Sequence, residues 1–153
     1  MLLSSGFLCH TRTLCHNVSM KSTTWTLRGL IAPVFAWNVQ CAVAFLCSPA
    51  GYAAGFELSG VPGEGMVRGM GVLFLMWNVP YAVALWHPLR HRISLYEALA
   101  MQAIGLLGES LIYLSLPHAH ALARGSVARF IAFDAAGLLL LTAAAWLARR
   151  STR

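Results

Sequence analysis

The chain has 153 residues, of which 58% are hydrophobic and only 10% charged, with a formal net charge of +6. A soluble domain carries roughly 25% charged residues, because a small fold needs a polar coat over its core. This composition excludes an ordinary soluble enzyme and points to lipid as the solvent. Nor does the positive charge indicate a nucleic-acid partner. The basic residues fall in short clusters between apolar stretches rather than in one patch with interleaved aromatics.

Residues 1–28 read as an N-terminal leader without regular structure, and the opening Met20-Lys21-Ser22-Thr23 is a candidate start. Within the leader, Cys9-His10 and Cys15-His16 bring four soft ligands together, but their spacing fits no common zinc site and no covalent-haem motif. No metal is expected. Cys41 and Cys47 lie in an apolar stretch and read as small buried hydrophobes.

A helix needs about 20 largely apolar residues to cross a bilayer. Four such runs follow, at about 29–48, 69–86, 93–116 and 127–148, forming one domain over 29–148, and a basic tail occupies 149–153. The first run is too long for the apolar core of a signal peptide and no cleavage site follows it, so it is expected to be retained. The expected fold is all-α, an integral membrane four-helix bundle with up-down-up-down topology.

Arg12, Lys21, Arg28, Arg90, Arg92, Arg149, Arg150 and Arg153 would share one side, against Arg68, Arg124 and Arg129 on the other. Basic residues favour the cytoplasmic side, so both termini are expected there, in a bacterial inner membrane. Trp25, Trp86 and Trp146 fall near the same boundary. Between the first two spans, residues 49–67 are rich in glycine and proline and show no long helical period. They are expected to lie on the mouth of the bundle.

An internal echo links the first two spans. Trp37-Asn38-Val39-Gln40-Cys41-Ala42-Val43-Ala44 matches Trp77-Asn78-Val79-Pro80-Tyr81-Ala82-Val83-Ala84 at six of eight positions. Antiparallel packing would put Asn38 and Asn78 at one depth, as a mid-membrane amide pair. Such pairs contribute ~0.6–2 kcal/mol. The echo is compatible with an inverted repeat of the kind some transporters use, and equally with chance and packing.

Ionisable groups inside a span cost ~2.5 kcal/mol or more. Glu97 lies near the start of the third span and reads as a solvated acid of the first turns. Glu109 and Asp134 each lie about seven residues from the far end of their spans, ~10 Å deep. Gln102, Gly105, Glu109 and Tyr113 share one helix face. Two carboxylates at one depth need a cation, and Arg68 is the best placed. The candidate site is therefore an intramembrane polar cluster of Arg68, Glu109, Asp134, Gln102 and Tyr113. It reads either as a pocket for a proton, a small solute or a quinone headgroup, or as an ion pair that fixes helix order.

No nucleotide fingerprint, facing histidine pair or activated nucleophile appears, so no catalytic residues are assigned. The layout resembles the DoxX-like group of small four-helix membrane proteins. The likeness lies in a first span, an outer stretch from Ser48-Pro49-Ala50-Gly51-Tyr52, then Val67-Arg68-Gly69-Met70-Gly71 opening the second span. That resemblance implies a compact bundle and, for some members, a subunit of a quinone-linked complex. Two functions follow as expectations. One is a non-catalytic accessory or scaffold subunit with the bilayer, a membrane protein or a second copy as partner. The other is a minimal solute or proton-coupled transporter. A water-accessible cavity reaching the polar cluster favours the second, and a dry, fully paired cluster favours the first.

Overall fold

The computed structural model describes the backbone of residues 5–151 and the side chains of residues 21–151. The leader's Cys9, His10, Cys15 and His16 lie outside the described side chains. Among the described residues there is no strand. The elements are α1 (Ser5–Cys47), α2 (Pro49–Ala53), a 3-10 turn (Ala54–Phe56), α3 (Gly60–Trp86), α4 (Arg92–Ser115) and α5 (Ala121–Arg150). Four helices are long and apolar enough to cross a membrane: Lys21–Cys47 within α1, and the whole of α3, α4 and α5.

Two departures from the sequence expectation stand out: α1 begins at Ser5, so residues 5–28, expected as an irregular leader, continue the first span as one helix, and α3 starts at Gly60 rather than near residue 69. Ser59 is extended and Gly60 takes a positive φ of 65°, a left-handed turn that glycine adopts without strain. Pro62 then sits in the first turn, where its missing N–H costs no intrahelical bond. Of the glycines that follow, Gly63 is buried, and a Cβ there would lie 2.9 Å from the Cβ of Leu58, so this turn packs closely on the preceding segment. The remainder of the stretch folds as α2 and the 3-10 turn.

Small residues let the helices approach closely, as membrane packing favours. A Cβ on Gly71 of α3 would lie 3.0 Å from the carbonyl oxygen of Ala42 on α1. Ala84, Ala98, Ala144, Ala145 and Ala148 are all buried. α1 packs chiefly on α3 and α4 chiefly on α5, while α1 also meets α5 where Trp37 stacks on Phe133. One packed zone holds Leu27, Ile31, Val34, Leu95 and Leu141. A second is aromatic, with Phe45 at its centre and Phe56, Phe74 and Phe130 around it.

Charged side chains at the two ends are spent on helix termini. At the basic end, Arg28 donates to the carbonyls of Leu85 (3.2 Å) and Trp86 (2.5 Å), closing α3. Arg28 also lies over Trp25, and Arg150 over Trp146. At the opposite, loop end, Arg124 donates to the carbonyls of Tyr113 (2.9 Å) and Leu116 (2.6 Å), closing α4. Glu57 accepts from the amide of Ala123 at the start of α5 and lies 2.5 Å from Nδ1 of His120. His120 first, then that amide, holds the Glu57 carboxyl below its ordinary range. Ser126 donates to the carbonyl of Gly55, so the 3-10 turn is fastened onto α5.

Candidate functional site

A hydrogen-bonded relay crosses from α3 to α5 between the two packed zones. The Tyr81 hydroxyl lies 3.1 Å from the carbonyl of Ala98 and 2.6 Å from Oε1 of Gln102. The Gln102 amide then donates to Oδ1 of Asp134 at 2.7 Å. The Glu109 and Asp134 carboxyls lie within hydrogen-bond reach of one another, and the buried Oε2 of Glu109 accepts from no other group. Neither carboxyl has a cationic partner among the described residues; Arg68 pairs with Glu64, and His120 with Glu57.

Two glycines make room for this relay. A Cβ on Gly137 of α5 would fall 2.5 Å from Nε2 of Gln102 and 2.9 Å from its Cδ. A Cβ on Gly105 of α4 would collide with Oδ2 of Asp134. Each polar side chain thus rests on the bare backbone of the facing helix, which brings α4 and α5 close enough for Gln102 to reach Asp134.

The relay lines a cavity of about 520 Å³, within the range of small-molecule sites. Glu109, Asp134, Gln102, Tyr81 and Asn38 supply its polar atoms. Its other walls are apolar and largely aromatic, including Phe56, Phe74, Trp77 and Phe130. Leu73 and Trp77 of α3 and Ile104 and Ile112 of α4 border it while remaining exposed. α3 and α4 are joined through Tyr81, and the exposure of these lining residues opens the cavity on the flank of the bundle between them.

Of the sequence candidates, Glu109, Asp134 and Gln102 come together. Arg68 does not join them: its guanidinium lies 3.5 Å from Glu64 on the same helix, with a side chain 52% exposed. The early start of α3 explains this, since it puts Glu64 and Arg68 one turn apart at the water-facing end. Tyr113 also stands apart, packed beneath the guanidinium of Arg124 at 4.1 Å.

Asn38 and Asn78 are both buried, yet no hydrogen bond joins them. Asn78 donates to the carbonyl of Phe74 on its own helix and leaves Oδ1 without a partner, whereas Asn38 lines the cavity. Glu97 is exposed, as a solvated acid should be. Cys41 is half-buried and Cys47 exposed rather than both buried, because their positions on α1 turn away from the packed face.

Sequence reasoning missed Tyr81 and Gly137. A tyrosine in mid-span carried a signal, because a buried phenol needs a hydrogen-bond partner. Gly137 carried none until its facing residue was known. No protein-family model, no curated protein and no solved structure matches this chain.

Proposed function

We propose that this is a multi-pass membrane protein that binds a lipid-soluble small molecule in the cleft between α3 and α4. The observation that carries the reading is an apolar cavity, open on the flank, with an incompletely paired carboxyl cluster at its polar side. A structural cluster that only fixes helix order gains nothing from facing a cavity or from leaving a buried oxygen unpaired. This favours the binding or transport function over the accessory-scaffold one. The proposed setting is a bacterial inner membrane with up-down-up-down helices and both termini cytoplasmic, supported by eight basic residues against three. The loop end and its 3-10 turn then face outward.

The test is equilibrium binding to protein in lipid nanodiscs, relative to empty nanodiscs, with decylubiquinone and tetraphenylphosphonium as probes. At least one should bind saturably. Binding should be lost in Gly108→Phe, which fills the cavity from a position where a Cβ meets nothing within 4 Å. Saturable binding of neither probe, or binding indifferent to the filled cavity, overturns the reading.

A further inference from the structure

We infer that the cleft selects organic cations: its ligand class is a lipophilic amine or other onium compound carrying apolar or aromatic groups. This rests on the cleft being a binding site and adds the charge of what it binds.

An acid pair without a counter-charge sets the sign, and the hydrogen bonds around it show which groups are already committed. A neutral quinone needs donors aimed at its carbonyl oxygens. The Gln102 amide is already committed to Asp134, and the Tyr81 hydroxyl to Gln102 and Ala98. What remains is the Glu109–Asp134 carboxyl pair on the cavity wall, in which the buried Oε2 of Glu109 accepts from no other group. Asn38 also remains. It is 7% exposed, lines the cavity and makes no hydrogen bond among the described residues. Its amide offers a ligand both a carbonyl acceptor and N–H donors, so the sign rests on the acid pair.

Charge points the same way. Any negative charge on the Glu109–Asp134 pair needs a positive partner in surroundings this apolar. The arginines at the loop end of the bundle are engaged elsewhere: Arg68 with Glu64, Arg124 with the end of α4, and Arg129 with Ser126. The remaining titratable group in the cavity wall is Tyr81, which brings no positive charge.

The walls complete the fit. Phe56 and Phe74 both stack on Phe130, and Trp77 stands edge-on to Phe74. These residues give the cavity a wall of π-systems beside the carboxyls, and aromatic faces attract cations most strongly where water is absent. A monocation wrapped in apolar groups satisfies the acid pair and the aromatic wall together, and it reaches the cleft from the bilayer.

Ligands of one shape and opposite charge test this without altering the protein. Tetraphenylphosphonium and tetraphenylborate are near-isosteric, and decylubiquinone serves as the neutral probe. In nanodiscs, the phosphonium should bind saturably above the empty-nanodisc background, and the borate and quinone should not. Glu109→Gln and Asp134→Asn, each with melting temperature measured in parallel, should weaken phosphonium binding by about tenfold or more.

Saturable binding of the quinone or borate at equal or higher affinity overturns the cation assignment while leaving the cleft a binding site. Binding of none of the three overturns both. Phosphonium affinity within about twofold of the parent in a folded Glu109→Gln protein also overturns it.

Discussion

Replacing Gly137 by alanine tests whether the Gln102–Asp134 contact holds α4 and α5 together. The added Cβ would stand 2.5 Å from Nε2 of Gln102, where ordinary contact begins at 3.4 Å, so the amide must retreat by roughly 0.9 Å. The hydrogen bond to Asp134 is 2.7 Å long, and the same retreat stretches it to roughly 3.6 Å, beyond hydrogen-bond reach. The end of a glutamine can move, but only by giving up Asp134 and loosening Tyr81.

Loss of such an interhelical bond costs ~0.6–1.7 kcal/mol, and overpacking adds ~1–3 kcal/mol. Against this stands a helix-propensity gain of about 0.8–1 kcal/mol for glycine to alanine. The expected net effect is destabilisation by about 1–3 kcal/mol. It would be measured by unfolding in mixed micelles titrated with dodecyl sulfate. Gly69→Ala is the control, because a Cβ there meets nothing within 4 Å, and it should be neutral or stabilising. A Gly137→Ala protein as stable as the Gly69→Ala protein would refute the packing argument.

Two further outcomes follow from the ends of the bundle. Arg68→Ala should change stability by less than about 1 kcal/mol in the same unfolding assay, because its pair with Glu64 is exposed. A loss of several kcal/mol would return Arg68 to the intramembrane cluster. Glu57 has a folded-state carboxyl held below its ordinary value, chiefly by His120. Its contribution is therefore present above the ordinary carboxylate range and lost as pH falls through the depressed folded value. Melting curves across that range should show an acid loss in the parent that is smaller in Glu57→Gln, and identical acid limbs would contradict the assignment.

Much of the scaffold was legible because long, largely apolar runs have one economical solution in lipid. The third span, expected at 93–116, is α4 at Arg92–Ser115, and the second ends at Trp86 as expected. The Glu109–Asp134 meeting was legible too, since matched depth follows from residue counting. What was not legible depended on where α3 begins. A glycine- and proline-rich stretch signals a loop in water, but here it continues the helix. That continuation gives Arg68 an acid one turn away and removes it from the cluster.

The fate of Asn78 was hidden for a different reason. Equal depth permits an amide pair with Asn38, yet a carbonyl one turn back on its own helix is always within reach. The cavity needed three-dimensional packing to appear, because it is a property of how far α3 and α4 part.

The way they part has a mechanical side. α1 and α5 meet through the Trp37–Phe133 stack and around Gly137, and α3 and α4 meet through the Tyr81 hydrogen bonds and the packed zone that holds Tyr81, Ala84, Leu95 and Ala98. The two helix pairs are thus joined along both seams, and on the α3–α4 seam Tyr81 is a clasp at the edge of the cavity. The seven residues from Gln102 to Glu109 span ~10 Å, so a tilt of α4 by ~10° about the clasp moves the level of Glu109 by roughly 2 Å. A motion that small widens the mouth without unpacking either pair, and the clasp confines it to one end of the molecule.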